Sequence, residues 1–231
     1  VEGGTGLVPA CGSGVFLRAA ARRLLGKGVA DRGSIVRRYL FGSDVDPASV
    51  EATRRVLGAW AGVESDEVSG VVMADPLHDA TDPWPGRPTQ GFDAVVGNPP
   101  FLGQLRSSTA GTGADRAVLR ERFGDLVGAY TDVAWLFLAL GLEVLAPGGR
   151  MLLIQPQSLL AARDAGPVRD RLLTAGRLTG LWLDRSGTSA GHTEVAAPLV
   201  TGTATGSPPG CSARLLAHAS PHPAGSVALR C

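Results

Sequence analysis

The sequence predicts an α/β fold with a mostly parallel, doubly wound sheet. Short apolar runs typical of buried strands alternate along the chain with segments of helical periodicity. A glycine-rich turn also separates the first apolar run from the first helix, and acidic or turn-forming residues follow several predicted strands. Because each parallel connection needs a crossover element, this alternation places helices on the faces of a single sheet. Ligands of such sheets bind at the carboxyl ends of the strands.

The composition of the 231 residues is that of a globular protein, with 44% hydrophobic and 19% charged residues. The net charge of +1 provides no electrostatic footprint for nucleic acid. Cys11, Cys211 and Cys231 have neither the spacing nor the neighbouring histidines of a zinc site, so no structural metal is expected. The longest apolar run, residues 133–142, is too short to span a membrane, and the chain begins without the features of a secretory signal. We therefore expect a cytoplasmic protein without a membrane anchor.

The first predicted strand and helix flank the glycine-rich turn at residues 9–14. Residues 6–8 are a short apolar run, and residues 15–25 place apolar side chains among arginines at helical spacing. The run at residues 35–43 predicts the second strand. These elements make one β-to-α step and the start of the next.

Asp46-Pro47 predicts the start of the next helix, because an aspartate at the N-cap with proline in the first turn is a common helix start. This helix is expected to extend to about Trp60. Its inward-facing residues are predicted to be Val50, Thr53, Val56 and Leu57.

The remaining elements continue the alternation. Strands are predicted at residues 68–73, 92–97, 151–154, 178–183 and 195–200, and helices at residues 130–145 and 159–173. Pro147-Gly148-Gly149 ends the first of these helices, and a break near Gly166 interrupts the second.

Two regions depart from this pattern. Residues 103–115 are rich in Gly, Ser and Thr and predict a mobile loop beside the site. Residues 202–231 contain Pro208-Pro209-Gly210 and are expected to form an irregular or disordered tail. Residues 1–201 are then expected to form one domain, whose N-terminal part is incomplete because its first strand is short.

The glycine-rich turn predicts a binding loop. Glycines let the backbone approach a ligand closely, and amides at the start of the following helix can donate hydrogen bonds to it. Similar turns bind dinucleotides in other folds, or only reverse the chain. The candidate binding residues of this turn are Pro9, Ala10, Cys11, Gly12 and Gly14.

Acidic residues close the next two strands. Asp44 lies where an acid accepts hydrogen bonds from ribose hydroxyls, whereas Asp46 is the helix cap. Asp75 follows the third strand, where it can accept a hydrogen bond from an adenine amine while Val45 and Leu77 pack against the ring. A turn-forming Asp-Pro without a ligand is the alternative for Asp75.

The fourth strand ends in Asn98-Pro99-Pro100-Phe101. The Asn98 side-chain carbonyl and the Pro99 backbone carbonyl are two acceptors that can take both hydrogens of an exocyclic amine. Phe101 is a candidate to stack on the base that carries the amine. The prolines fix the backbone direction and have no N–H to compete for the acceptors. A strand-terminating turn is the alternative, but the glycine turn, both acids and this tetrapeptide occur in a coherent order.

In this order the motifs resemble those of the N6-adenine and N4-cytosine DNA methyltransferases, specifically the adenine enzymes of restriction-modification systems that have the cofactor turn first. The resemblance covers residues 9–200 and includes Tyr130-Thr131-Asp132-Val133 and the turn at residues 145–150. It implies a Rossmann-like fold that binds S-adenosylmethionine and methylates a flipped-out adenine in DNA. It also implies that residues 98–101 are catalytic.

Val8 departs from the family pattern, since the family has an acid at this position that contacts or organises the methionine portion of the cofactor. The family also has an N-terminal helical segment, and a target-recognition domain after the last catalytic strand. We find no counterpart of either in the sequence, and expect a separate specificity subunit or a missing target-recognition domain in addition to DNA.

Other functions remain open at this point. Enzymes that methylate RNA bases or the glutamine amides of proteins share a similar tetrapeptide, although the protein-amide enzymes typically end it with Tyr rather than Phe. Loss of cofactor binding at Val8 would instead leave a non-catalytic subunit with the same fold.

Overall fold

The computed structural model describes residues 4–79, 82–101, 113–184, 195–203, 211–218 and 227–229. The chain divides into two compact units. The first consists of Val1–Asn98 and Val144–Gly149, and the second of Pro99–Glu143 and Arg150–Cys231. All the predicted cofactor residues therefore fall in the first unit.

Four parallel strands form the sheet of the first unit. They are β1 (Gly6–Val8), β2 (Leu40–Asp44), β3 (Val71–Met73) and β4 (Phe92–Gly97). β1 pairs with both β2 and β4, and β2 pairs with β3, so the strand order is β3-β2-β1-β4. Because all these pairs are parallel, the carboxyl ends of the four strands meet at one edge of the sheet. The predicted binding residues follow β1, β2 and β3 at this edge.

Three helices pack against this sheet. They are α1 (Val15–Gly26), α2 (Arg32–Arg38) and α3 (Pro47–Ala61). Their inward-facing side chains share one buried apolar cluster with the strands, which includes Val8, Cys11, Leu17, Ala21, Ile35, Val36, Leu40, Val50, Leu57 and Val71. Removal of this apolar surface from water holds the helices on the sheet.

The predicted start of α3 is confirmed. The Asp46 carboxylate accepts hydrogen bonds from the backbone N–H groups of Ala48 (3.2 Å) and Ser49 (3.0 Å). Hydrogen bonds from Ser49 and Ala48 also hold the pKa of Asp46 below its usual range. The prediction for Val56 is wrong, because this side chain lies at the edge of the buried stripe and is exposed.

The second predicted strand is wrong in its first half. Residues 35–38 belong to helix α2, and β2 begins only at Leu40. The Asp31 carboxylate caps α2 by accepting hydrogen bonds from the backbone N–H (2.9 Å) and hydroxyl (2.6 Å) of Ser34. Ile35 and Val36 favour strands by propensity, but the cap and their burial against the sheet stabilise a helix here.

A carboxylate and two aromatic contacts fix β4. The Asp93 carboxylate accepts hydrogen bonds from the backbone N–H (2.8 Å) and the hydroxyl (3.1 Å) of Thr5, directly before β1. The Phe92 ring contacts the rings of Phe41 and Trp84 at centroid distances of 5.2 and 5.8 Å. Asp93 therefore anchors β4 to the segment that precedes β1.

The second unit combines helices with antiparallel and parallel strands. Its elements are α4 (Gly113–Phe123), α5 (Val133–Val144), the end of β5 (Leu145–Leu153), β6 (Gln155–Pro156), α6 (Ser158–Ala161), α7 (Gly166–Ala175), β7 (Gly176–Asp184), β8 (Val195–Gly202), β9 (Cys211–His218) and β10 (Val227–Leu229). β8 pairs antiparallel with β5, β6 and β7. β9 pairs parallel with β7 and antiparallel with β10. Among the described pairs, antiparallel ones occur only in this unit, and the predicted α/β fold class is confirmed.

The predicted irregular tail is wrong for β9 and β10. The outer edge of β7 has backbone N–H and C=O groups that β9 pairs, and backbone pairing of this kind needs no strong side-chain pattern. The turn-forming Pro208-Pro209-Gly210 lies outside the described residues.

The predicted loop at residues 103–115 lies mostly outside the described residues, except that α4 already begins at Gly113. The predicted break before Gly166 is confirmed, since it separates α6 from α7. Within the described part of the chain, no helix is long and apolar enough to cross a membrane. The same residues contain no group of His, Cys, Asp or Glu side chains that could hold a metal ion.

Candidate active site

The glycine-rich turn is fixed to the end of β2 by hydrogen bonds. The backbone N–H of Cys11 donates to the carbonyl of Ser43 (2.8 Å), and the buried Ser43 hydroxyl donates to the carbonyl of Pro9 (3.0 Å). The backbone N–H of Gly14 donates to the carbonyl of Cys11 (2.9 Å) and closes the turn. The loop is therefore held in one conformation at the carboxyl edge of the sheet.

Two glycines of the turn have left-handed backbones, for different reasons. Gly12 has a φ of +52°, and a side chain there would meet no atom within 4 Å. Gly14 has a φ of +79°, and a Cβ there would lie 2.8 Å from the Thr53 hydroxyl oxygen. The same hydroxyl donates a hydrogen bond to the Gly12 carbonyl (2.8 Å). Gly14 therefore permits close packing with α3, whereas Gly12 faces open space that a ligand can enter.

Asp44 braces the turn with both carboxylate oxygens. Oδ2 accepts a hydrogen bond from the backbone N–H of Gly12 (2.8 Å), and Oδ1 accepts one from the backbone N–H of Asp46 (3.0 Å). Each oxygen keeps a second acceptor site, and the residue is only partly buried. Asp44 is thus available for the ribose contact predicted from the sequence, while it also organises the turn.

Cys11, within the turn, and Val8, directly before it, belong to the buried apolar cluster. Burial, and then the negative charge of Asp44, raise the pKa of the Cys11 thiol from 9.0 to about 11. The thiol is therefore neutral at physiological pH and is a poor nucleophile. Val8 is 1% exposed, so the position at which the family has an acid is part of the core in this chain.

The structure separates the residues predicted to hold an adenine ring. Val45 is 64% exposed beyond the end of β2, but Leu77 is only 2% exposed. Asp75 is partly buried, and its Oδ1 accepts a hydrogen bond from the backbone N–H of Leu77 (3.0 Å). Of this predicted set, Val45 and Asp75 are presented to solvent.

Asn98 is exposed at the carboxyl end of β4. No described residue forms a hydrogen bond with its side-chain amide, so its carbonyl oxygen is available as an acceptor. Pro99 is buried and Pro100 is partly buried. The backbone is therefore restrained directly after Asn98.

Phe101 occupies a different environment from the one that the sequence suggested. Its ring is 4% exposed and belongs to a buried cluster of the second unit with Ala134 and Val195. Ile154 and Trp182 also pack against this cluster. The ring is a core side chain in this structure, and stacking on a base would require it to leave the cluster.

Sequence reasoning missed Ser43, Thr53 and His78. The roles of Ser43 and Thr53 are hydrogen bonds to backbone carbonyls of the turn, which leave no motif in the sequence. The Nδ1 atom of His78 lies 2.8 Å from Oδ2 of Asp75. Its position three residues after a strand-closing acid is the signal that could have identified it. His192 lies outside the described residues.

The parallel strand order of the first unit, with a glycine turn after β1 and acids after β2 and β3, is typical of the Rossmann-like methyltransferase fold. Residues 38–182 match the family model of the Eco57I restriction-modification methylases. The chain belongs to this family. The matched region includes Asp44, Asp75 and residues 98–101, and it begins after the glycine turn.

Solved structures show the same fold. A protein from Listeria monocytogenes assigned to the class I S-adenosylmethionine-dependent methyltransferases matches with a TM-score of 0.68 and 17% identity, over 95% of this chain and 60% of that one. The methyltransferase subunit of a type I restriction-modification system from Streptococcus thermophilus matches with a TM-score of 0.67 and 18% identity, over 94% of this chain and 42% of that one. The type ISP restriction-modification enzyme LlaGI, in complex with a DNA substrate mimic, matches with a TM-score of 0.63 and 13% identity, over 94% and 25%. This chain therefore spans 60% or less of these three proteins.

Proposed function

We propose that this chain transfers a methyl group from S-adenosylmethionine to the N6 amine of an adenine extruded from duplex DNA. The observation that carries this proposal is the position of Asn98. Its amide is exposed and free of hydrogen bonds to described residues, at the same edge of the parallel sheet as the glycine turn. Membership of the family supports a methyltransferase of restriction-modification type. The exposed Asn98 amide supports an exocyclic amine as the acceptor of the methyl group.

The residues of the first unit fit the cofactor. Gly12 faces open space, which allows a ligand to approach the backbone closely. Asp44 and Asp75 keep acceptor sites for ribose hydroxyls and an adenine amine, and the exposed Val45 side chain offers apolar contact to a ring. When bound, S-adenosylmethionine supplies an electrophilic methyl group on a positively charged sulfur.

The tetrapeptide supplies what an exocyclic amine lacks. The lone pair of the adenine amine is delocalised into the ring, so the free amine is a weak nucleophile. Hydrogen bonds from the amine to the Asn98 side-chain carbonyl and to the Pro99 carbonyl favour a tetrahedral nitrogen, whose lone pair then points away from the ring plane. Pro99 and Pro100 restrain the direction of these acceptors.

The gain from positioning the two reacting groups exceeds the cost of extruding the base. Holding an amine and a methyl donor in line can be worth about 7–11 kcal/mol. Extrusion of the base from a duplex costs a few kcal/mol, because stacking and pairing are lost. The positioning effect is the larger of the two, and no side chain needs to remove a proton before the amine attacks.

DNA and a specificity element are the partners that we propose. LlaGI was solved with a DNA substrate mimic, and the S. thermophilus protein is a subunit of a larger system. This chain spans only part of either protein. We therefore assign recognition of the DNA sequence to a further domain or a separate subunit.

One observation favours a second candidate function, a methyltransferase-fold subunit without turnover. Val8 is buried among apolar side chains, so it provides no carboxylate for the methionine portion of the cofactor. Weak binding of S-adenosylmethionine would distinguish this subunit without turnover from an active methyltransferase.

The test uses the 231-residue chain, methyl-labelled S-adenosylmethionine and adenine-containing DNA. We expect label on N6 of adenine in the wild type and at least a hundredfold loss in Asn98→Ala, because one of the two acceptors is removed. Calorimetric titration with the cofactor should give the same affinity for both proteins, which shows that the loss is in transfer. Label on protein glutamine or RNA instead would overturn the choice of acceptor. Cofactor affinity too weak to measure would favour the non-catalytic candidate.

A further inference from the structure

In the turn after β3, Asp75 forms hydrogen bonds with the next residues of the same turn. Its carboxylate accepts one bond from the backbone N–H of Leu77 at Oδ1 (3.0 Å), and its Oδ2 lies 2.8 Å from Nδ1 of His78. The Asp75 carbonyl accepts bonds from the backbone N–H groups of His78 (3.1 Å) and Asp79 (2.9 Å). The Asp79 carboxylate accepts one from the backbone N–H of Asp75 (3.0 Å). Both oxygens of the Asp75 carboxylate are thus fixed in direction.

The His78 ring has one hydrogen bond among the described residues, and that bond is to Asp75. The side chain is 32% exposed, yet its Nε2 is buried and has no partner within the described part of the chain. A carboxylate oxygen accepts hydrogen bonds, so Nδ1 carries the hydrogen of this contact and donates it to Asp75. The two side chains therefore hold each other in a fixed orientation.

We propose that His78 is a positioning residue, which fixes the Asp75 carboxylate so that it selects the amine of the cofactor's adenine. The proposal rests on the proposed function, since it concerns the same cofactor. Each Asp75 oxygen keeps a second acceptor site, and the side chain is 37% exposed, so a ligand amine can reach it. A carboxylate that cannot turn away accepts from an amine, but it repels a carbonyl at the same position. A polar site of fixed orientation rejects an analogue that lacks the matching group.

The test compares two ligands that differ at the exocyclic group of the purine and at the adjacent ring nitrogen N1, which bears a hydrogen when that group is a carbonyl. S-adenosylhomocysteine has the amine, and S-inosylhomocysteine has a carbonyl in its place. We expect the wild-type chain to prefer the adenosyl ligand by about 10- to 100-fold in calorimetric titration, the range for one hydrogen bond to a charged acceptor. His78→Leu removes the donor but keeps an apolar side chain, and should lower this preference at least about fivefold, because Asp75 can then rotate.

His78→Asn is the matched control. Its amide places an N–H group near the position of Nδ1, so it should keep the preference within about twofold of the wild type. If His78 only caps the turn, His78→Leu would weaken both ligands equally and leave the preference unchanged. That result would overturn the role of His78 and leave the proposed function standing.

Two further results separate this proposal from the proposed function. Nitrogen-15 spectra of the ligand-free chain should show a hydrogen on Nδ1 of His78, with the signal identified by its loss in His78→Asn, and a ring that carries its hydrogen on Nε2 alone would overturn the proposal. Equal affinity of the wild type for both ligands would also overturn it, since Asp75 would then not read the amine. If the wild type binds neither ligand, the cofactor part of the proposed function fails, and the role of His78 fails with it.

Discussion

Val8 shares its buried cluster with Cys11 and Leu17, and the residues of this cluster are all apolar or small. The family has an acid at this position, and the sequence therefore suggested that cofactor affinity depends on it. In the structure a carboxylate on this backbone would be buried without a partner. Val8 thus makes the end of β1 a packing site.

We expect Val8→Asp to lower the free energy of unfolding by about 3–5 kcal/mol at neutral pH, because it buries an unpaired charge. Val8→Asn is the matched control, since it adds a polar side chain of similar size without the charge and should cost less. Urea unfolding followed by circular dichroism measures both variants. If Val8→Asp is as stable as the wild type and binds S-adenosylmethionine more tightly, the side chain reaches the cofactor and the packing assignment is wrong.

Phe101 is also a predicted site residue whose side chain is buried in the structure. Its ring packs on Ala134 and Val195, so Phe101→Ala should lower the free energy of unfolding by about 3–5 kcal/mol. Phe101→Leu keeps most of the volume and should cost less than about 1.5 kcal/mol. Methyl transfer by the folded leucine variant should stay close to that of the wild type. A large loss of transfer in a stable Phe101→Leu chain would show that the ring stacks on the base.

Sequence alone predicted which residues line the carboxyl edge, because Asp44, Asp75 and Asn98 each follow an apolar run directly. It did not predict what these side chains contact. The burial of Phe101 depends on α5 and β8, which are remote in the chain. The bond between Thr53 and Gly12 joins residues 41 positions apart, and no local pattern records it.

At the scale of elements, helix α3 organises the glycine turn. It begins at the Asp46 cap, and Thr53 extends from it to the Gly12 carbonyl. We expect Asp46→Ala to lower the free energy of unfolding by about 1 kcal/mol, the usual cost of losing a capping side chain. Glu51→Ala is a control within the same helix, because it removes only the exposed ion pair with Arg55 and should cost about 0.3–0.5 kcal/mol. Equal losses in the two variants, measured by urea unfolding, would show that the cap contributes nothing of its own.

Elements with local signals were predicted well, and elements stabilised by distant partners were not. α3 has its cap and first-turn proline within two adjacent residues, and β4 was predicted at its observed bounds. The helical state of Ile35 and Val36 depends on burial against the sheet. Their β-branched side chains favour strands, so the local sequence does not predict this helix. β9 exists because β7 offers an edge, and that edge is not visible in the sequence of residues 211–218.

At the scale of the molecule, the chain has the fold of methyltransferases and a net charge of only +1. Neutralised phosphates supply most of the affinity of proteins for DNA of any sequence, so a chain with little net charge should bind DNA weakly and with a shallow dependence on salt. The three solved structures compared above are longer than this chain, which covers only 25–60% of their length. Methyl transfer by this chain alone should therefore be limited by access to the base and should show little sequence selectivity.

This limit leads to a prediction about the form of the substrate. Extrusion costs a few kcal/mol in a duplex, and this cost is absent when the adenine is single-stranded and reduced when it lies opposite an abasic site. We expect kcat/KM for the 231-residue chain to be about 10- to 100-fold higher on single-stranded DNA than on a duplex of the same sequence, with the abasic duplex between them. Adenines in different sequence contexts should be methylated at similar rates, as sequencing of the products can show. Efficient methylation of one short sequence in an intact duplex, with other adenines unmodified, would place both base extrusion and recognition within this chain.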